Sequence, residues 1–335
     1  MNLLAHLTPE LAKGRALNRP EVASAVEALL DSSVAEQVKA DFLVALARKG
    51  ETAEEIAAFA LELRARAVNP GIDAGRFGGR VLDIVGTGAD GAGTFNVSTC
   101  AMFVVAAAGV AVAKHGNRAV TSKCGSADVL AALGANIELP ADAVRRCLEA
   151  TGVAFLFAPV FHPAFKAIAP VRKKLAQRTI FNILGPLLNP ARPTHQLVGV
   201  FNPLLVPTFA EVLRMTGLTR ALVVHGAGMD ELSVHGLNTL AELRDGKIQQ
   251  SELQMPETQG DLRGGDAAAN ATIVRDILGG KERGSKREIV LLNAGAALMV
   301  ASLAENIEAG TKRAGELIDT GAAMEKLTRF IEACN

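Results

Sequence analysis

One stretch limits what this chain can fold into. The short run Val81 to Val85, apolar except for Asp83, ends in four glycines, Gly86, Gly88, Gly91 and Gly93, within eight residues. Thr94, Asn96, Ser98 and Thr99 follow, and then the apolar run Cys100 to Ala113. That order reads as strand, glycine-rich turn and helix start. Glycines let a backbone come close to an anion, and a helix N-terminus offers free N–H groups and the positive end of a dipole. The segment therefore reads as a phosphate site. One capping side chain would serve an ordinary helix start, so four hydroxyl and amide side chains exceed what a simple turn needs.

Gly86-x-Gly88-x-x-Gly91 matches the dinucleotide pattern by letter, but the acidic residue expected about 20 positions later is missing. Ala106 to Ala113 reads Ala-Ala-Ala-Gly-Val-Ala-Val-Ala. Asp90 inside the loop would repel a pyrophosphate unless a metal lay between them. A metal-chelated polyphosphate is therefore favoured over NAD.

Segments of strand and helix character alternate on either side of this loop. Val110–Lys114, Ala154–Phe157, Gln196–Phe201 and Ala221–His225 read as strands; Cys100–Ala108, Ser126–Leu133, Asp142–Ala150 and Val206–Thr216 read as helices. Such alternation predicts an α/β fold with a mainly parallel sheet. Thr239–Arg244 with Asp245-Gly246 reads as a strand and turn near an edge. Residues 1 to about 69 read as helical, with Asn18 as a cap before Pro20-Glu21-Val22, and Asn69-Pro70-Gly71 marks a boundary. The tail from Asp266 reads as helical. The segment 162–193, basic and then rich in Asn, Gly and Pro, interrupts the alternation and is expected to lie over the sheet and meet the N-terminal helices. The expected domains are 1–70, joined by 162–193, and an α/β domain of 73–161 with 194–335.

Thirty-five basic and 35 acidic residues cancel, so there is no general electrostatic case for nucleic acid or an anionic membrane. Four cysteines without metal-ligand spacing read as reduced thiols. No signal peptide or bilayer-spanning run is evident, and a cytoplasmic location is expected.

Three further segments carry chemistry. Lys114 to Ser126 places Lys114, Arg118, Lys123, His115, Asn117 and several hydroxyls in one strand-to-helix turn flanked by Gly116 and Gly125. In an open parallel sheet ligands bind beyond the carboxyl ends of the strands, so this turn and the first loop can face one crevice. His225 to Ser233 is another such turn, holding the adjacent carboxylates Asp230 and Glu231; hard oxygen ligands beside a phosphate site suit Mg²⁺. In Pro170 to Pro190, Arg172 can grip a carboxylate with two prongs, Arg178 reads as structural, and Asn182, Gly185 and Asn189 suit tight turns. Phe155 and Phe157 read as core, and Cys124 lacks a neighbouring base.

Asp83–Thr99, Lys114–Leu130, Arg178–Pro190 and His225–Ser233, in this order, resemble signature segments of the anthranilate phosphoribosyltransferase family. Gly264-Gly265-Asp266, Asn270-Ala271 and Leu292-Asn293-Ala294 extend the likeness, so that it covers nearly the whole chain. The resemblance implies a small helical N-terminal domain and a larger α/β domain with a mainly parallel central sheet, of nucleoside phosphorylase/phosphoribosyltransferase type. It implies a homodimer joined through the helical domain. The implied reaction joins 5-phosphoribosyl 1-pyrophosphate and anthranilate in tryptophan biosynthesis, with Mg²⁺.

Carried over by position, the sugar diphosphate would be held by Gly86, Ala89, Asp90, Thr94, Asn96, Val97, Ser98 and Thr99. Lys114, His115, Gly116, Asn117, Arg118, Ala119, Val120, Thr121, Ser122 and Ser126 would complete that set. Anthranilate would be held by Gly86, Asn117 and Arg172, and Mg²⁺ by Ser98, Asp230 and Glu231; no residue is assigned as acid or base. Ala89 stands where the family loop has glycine, and a modest rise in KM for the sugar diphosphate is expected from it. A pyrimidine nucleoside phosphorylase of the same fold is the nearest rival. Its lysine-histidine loop continues with Ser and paired Gly, where this chain has Gly116-Asn117-Arg118. A non-enzymatic nucleic-acid-binding relative would carry excess positive charge, which is absent.

Overall fold

The computed structural model describes residues 3–88, 90–119, 123–175, 177–257 and 260–335. Four helices come first: α1 (Leu3–Ala12), α2 (Arg19–Leu30), α3 (Glu36–Lys49) and α4 (Ala53–Ala65). Asn18 caps α2 as the sequence suggests, and Glu21 answers it in a capping box. Thr52 and Glu55 form the same box on α4. Glu55 also accepts the Leu17 N–H at 2.9 Å and pairs with Lys49 at 2.7 Å. One buried carboxylate thus ties the start of α4 to the end of α3 and to the α1–α2 link.

The alternating region follows as β1 (Val81–Gly86), α5 (Val97–Ala107), β2 (Ala111–Gly116), α6 (Ser126–Ala132), α7 (Ala141–Thr151) and β3 (Val153–Phe157). The short helix α8 (Ala158–Phe161) leads into the interruption, which holds α9 (Ala169–Lys174) and α10 (Phe181–Leu184). β4 (His195–Gly199), α11 (Leu205–Met215), β5 (Arg220–Gly226), β6 (Gly236–Arg244) and β7 (Lys247–Met255) complete the sheet. Four helices close the chain: α12 (Ala267–Leu278), α13 (Ser285–Val300), α14 (Ile307–Asp319) and α15 (Ala322–Cys334).

The sheet order is β3-β2-β1-β4-β5-β6-β7; the first five strands run parallel and the last two antiparallel. Successive side chains on each strand point to opposite faces. Leu82 and Ile84 join Leu197, Leu222 and Val224 beneath α5 and the four C-terminal helices. Val198, Ala221 and Val223 face α11 and the N-terminal helices. Ile168, Val171, Ile180, Phe181 and Leu184, all from the interruption, lie in this second core beside Leu43, Leu46 and Phe59. An insertion near the middle of the chain is therefore packed against its beginning. No described helix is long and apolar enough to cross a membrane.

Candidate active site

The parallel strands set the position of the site. From β1 the chain moves outward to β2 and β3, then returns to add β4 and β5 on the other side. Such a reversal leaves a crevice at the carboxyl ends of the two strands it separates, here β1 and β4. Gly86 and Gly199 end these strands as a registered pair. A Cβ on Gly86 would lie 2.3 Å from Asp230 Oδ2, and one on Gly199 would lie 1.6 Å from the Asp230 carbonyl oxygen. Glycine at both places lets the turn after β5 settle onto the strand ends and bring its carboxylates into the crevice.

Asp230 Oδ2 accepts the Gly88 N–H at 2.6 Å, and the Asp230 N–H donates to Asp90 Oδ2 at 3.3 Å. Asn293 of α13 anchors the nearby Leu232 from below: its Oδ1 accepts the Leu232 N–H at 3.0 Å and its Nδ2 donates to Leu232 O at 2.9 Å. Burial, and then the nearby Asp90 charge, push the Asp230 carboxyl up to about 7. Burial, and then Asp230, push Glu231 up to about 8. Two carboxylates held this close resist ionising together, and a divalent cation between them would remove the conflict. The Ser98 N–H donates to Glu231, so Ser98 adjoins the pair. No group of three His, Cys, Asp or Glu side chains that could hold a metal ion is present among the described residues. A pair of hard oxygens of this kind is what Mg²⁺ accepts from a protein when phosphate and water complete its shell.

Ser98 lies in the first turn of α5 and receives a hydrogen bond from Lys114 Nζ at 3.1 Å; Lys114 also donates to Ile84 O. The lysine is buried, which pulls its pKa down against the pull of Asp83, Glu231 and Asp230. Behind it Asp83 is wholly buried and its carboxyl is pushed up to about 6 by that burial. Asn189 Nδ2 donates to Asp83 Oδ2 at 2.9 Å and to Ala113 O at 2.7 Å, while its Oδ1 accepts the Ala191 N–H at 2.9 Å. The turn role expected of Asn189 is present, joined by a bridge between β1 and β2.

Asp128 shapes the basic loop. Its Oδ2 accepts the N–H groups of Ala119 and Gly125, each at 2.9 Å, and its Oδ1 takes Arg118 Nη1 at 3.1 Å. Asn117 Oδ1 accepts the Arg118 N–H at 2.8 Å, and Ser126 Oγ donates to Asn117 O at 3.4 Å. Val97 and Thr99, expected in the site, are 0% exposed, backbone included, so neither presents surface to the crevice, and the Thr99 hydroxyl has no partner among the described residues. Thr94 lies beside Arg263 as an isolated bridge. Ala89, Val120, Thr121 and Ser122, expected in the site, lie outside the described residues.

A cavity of about 350 Å³ opens from the same crevice, bordered by Gly86, Asn117 and Arg172, the three residues expected to hold anthranilate. Its wall is aromatic. His115 and His162 meet edge to face at 5.1 Å, His162 and Phe165 lie 5.1 Å apart, and Phe165 meets Phe181 at 5.9 Å. The Arg172 guanidinium sits over the Phe181 ring at 5.1 Å. Burial pulls His115 down to about 3 and His162 down to about 4, so both are neutral at pH 7. His115 Nδ1 lies 3.3 Å from Gly185 O and must donate to it. Its Nε2 is then an acceptor, and it has no partner among the described residues. A second cavity of about 700 Å³, lined by Asp90, Thr94, Lys123, Arg178 and Arg263, adjoins the glycine loop.

His162, Phe165, Phe181, Asp128 and Gly199 escape a sequence reading of this site. None stands out by a phosphate-type pattern, and each reaches the crevice by tertiary packing.

The chain matches the family model described as glycosyl transferase family, a/b domain, over residues 78–324, and its helical bundle domain over residues 6–67. It is 48% identical over 331 residues to an anthranilate phosphoribosyltransferase of Anaeromyxobacter sp. (strain K), covering 97% of this chain and 96% of the relative. The anthranilate phosphoribosyltransferase of Thermus thermophilus superposes with a TM-score of 0.91 at 40% identity, covering 100% of this chain and 99% of that one. The Saccharomyces cerevisiae enzyme in complex with PRPP and Mg superposes with a TM-score of 0.88 at 26% identity, covering 99% and 97%.

Proposed function

Because the chain belongs to the anthranilate phosphoribosyltransferase family, we propose that the crevice between β1 and β4 is its active site. The reaction transfers the phosphoribosyl group of 5-phosphoribosyl 1-pyrophosphate (PRPP) to the amine of anthranilate. The products are N-(5-phosphoribosyl)anthranilate and pyrophosphate, on the route to tryptophan. One observation carries the placement. A carboxylate pair suited to Mg²⁺ and an aromatic-walled cavity bordered by a cation open from the same crevice, with Gly86, which borders the cavity and packs against Asp230, at their junction.

Asp230, Glu231 and Ser98 would hold Mg²⁺, which when bound neutralises charge on the departing pyrophosphate. Lys114, Arg118 and the positive end of the α5 dipole add positive potential where the leaving group gains negative charge. Arg172 would fix the anthranilate carboxylate and the ring wall would hold its plane. The amine is neutral at pH 7 and already nucleophilic. His115 would belong to the cavity wall: its Nε2 is buried, and an imidazole held near pKa 3 is too weak a base to take a proton from the amine. Positioning, more than proton transfer, then lowers the barrier.

Anthranilate fluorescence tests this reading. Loss that requires PRPP and Mg²⁺ together supports it; no loss from folded protein refutes it, and uridine or thymidine cleavage with phosphate would then favour the phosphorylase. Asp230→Asn with Glu231→Gln should cripple turnover and its response to Mg²⁺; unchanged metal dependence would remove the pair from the metal site.

The division into a helical unit, 1–70 with 162–193, and an α/β unit, 73–161 with 194–335, belongs to the same proposal. So does a homodimer joined through the helical unit, which rests on family likeness; a monomer mass by light scattering refutes it. The four cysteines are free thiols, which fits a cytoplasmic location.

A further inference from the structure

Asn270 stands 174 positions after Asn96 in the chain and, with Gly264 and Gly265, borders the second cavity beside the glycine loop. It lies in the first turns of α12 and is almost wholly buried. The backbone just before this helix runs beside the glycine loop. The Gly264 N–H donates to Gly93 O at 3.0 Å, and the Phe95 N–H donates to Leu262 O at 3.2 Å. A Cβ on Gly264 would lie 2.8 Å from both Phe95 Cα and Asn270 Oδ1, so a side chain there would force the two segments apart.

The hydrogen bonds of Asn270 have a fixed direction. Its Oδ1 accepts the Gly265 N–H at 2.7 Å. A backbone N–H can only donate, so the amide cannot be turned over without losing that bond. Nδ2 must then face Asn96, whose Oδ1 accepts it at 2.9 Å. This settles the second amide as well. Asn96 Nδ2 points the other way and donates to Cys124 O at 3.2 Å, at the end of the basic loop. The other Nδ2 proton of Asn96 has no acceptor among the described residues. A chain of polarity thus begins at a backbone N–H in the C-terminal region and ends as a free donor at the start of α5.

We propose that Asn270 is a positioning residue for PRPP: through its bond to Asn96 Oδ1 it compels Asn96 to present N–H, not carbonyl oxygen, to a phosphate of the substrate. The inference rests on the reading of the crevice given above and adds to it a residue that acts through Asn96. A reversed Asn96 would aim its oxygen at an anion.

Asn270→Asp tests it with little change of shape. The new carboxylate can still accept from Gly265 but cannot donate to Asn96 and repels its Oδ1, so the Asn96 amide is either turned over, losing its bond to Cys124 O, or pushed out of place. KM for PRPP should rise about tenfold or more, the size of one lost charge-assisted hydrogen bond. KM for anthranilate and kcat at saturating PRPP should stay within about twofold, a split that general loosening of the fold would not give. Asn270→Ala, which leaves Asn96 held only by Cys124, through its carbonyl at 3.2 Å and its thiol at 3.4 Å, should raise KM for PRPP less. In an Asn96→Ala background neither substitution should add to the effect, because the relay has lost its last member. An unchanged KM for PRPP in Asn270→Asp overturns the inference. So does a rise that persists in full without the Asn96 side chain, which would be simple charge repulsion. If Asn270→Asp does not fold, Asn270→Ala carries the same test in both backgrounds. Wild-type protein that consumes no anthranilate would refute the functional reading instead; calorimetric titration with Mg²⁺ and PRPP then asks the binding question of the same variants.

Discussion

Asn189 offers the most direct test of the buried polar network beneath the crevice. Asn189→Ala removes two donated bonds, one to the Asp83 carboxylate and one to Ala113 O, and leaves the Ala191 N–H without its acceptor. Asp83 is 0% exposed and Asn189 1%, so water cannot replace what is lost. A hydrogen bond to a charged group is worth about 1.5–3 kcal/mol and a neutral one about 1 kcal/mol, which for one charged and two neutral bonds places the cost at about 3.5–5 kcal/mol. For 335 residues the unfolding entropy near 60 °C is about 0.7 kcal/mol/K, so Tm should fall by about 5–7 °C. Scanning calorimetry of wild type and variant at pH 7 reads this directly. Asn189→Asp sharpens the test by setting a second carboxylate within reach of the first. The pair cannot ionise fully when folded but can when unfolded, so the folded state keeps a proton that the unfolded state releases. Stability must then fall as pH rises above about 4, and the deficit should be larger at pH 8 than at pH 5. A Tm for Asn189→Ala within a degree of wild type, or an Asn189→Asp deficit independent of pH, would refute the reasoning.

Gly199→Ala should move the Asp230 backbone by about an ångström or more, since its Cβ would fall 1.6 Å from the Asp230 carbonyl oxygen. A displacement of that size costs about 100-fold in rate, and kcat/KM for Mg²⁺-PRPP within threefold of wild type would show that the turn yields harmlessly. Arg172→Ala should raise KM for anthranilate by about 10–100-fold, the range for a charge-assisted pair, with PRPP affinity little changed; a large loss of PRPP binding removes Arg172 from the anthranilate pocket. His162 is held near pKa 4 when folded, against about 6.5 unfolded. Its neutral form is favoured by folding, so its contribution is complete above pH 6.5 and is lost as pH falls, by about 2 kcal/mol at pH 5. His162→Asn should therefore narrow the Tm difference between pH 7 and pH 5, and an unchanged difference would mean that His162 is protonated in the fold.

The alternation of strands and helices was legible because the parallel strands are short, mainly apolar runs, and all but β3, which runs into Ala158-Pro159, end at glycine. Asn18 announced α2, and Asp245-Gly246 announced the hairpin whose turn has positive φ at both residues. β7 was not legible: Lys247 to Met255 is mostly polar, and it is a strand because β6 offers an edge to pair with. The phosphate loops showed in the sequence because glycines and donors are concentrated within a few positions. Asp128, His162, Asn189 and Asn270 did not show their contacts, because their partners are far off in the chain or lie on the backbone, and single polar residues in helices and turns carry no periodic signal. His115 was legible as a member of the basic loop; its neutral tautomer follows only from Gly185 O.

The core that joins α3 and α4 to residues 168–188 bears on how the chain matures as it is made. The first helices leave the ribosome with many of their apolar partners still unsynthesised. At about 5–20 residues per second, residues 66 to 188 take about 6–25 s to appear. During that interval Phe42, Leu43, Leu46 and Phe59 have only one another and their helical neighbours to hide behind. The nascent N-terminal segment is therefore the part of this protein most exposed to chaperone capture, and slow translation before codon 188 would prolong the exposure.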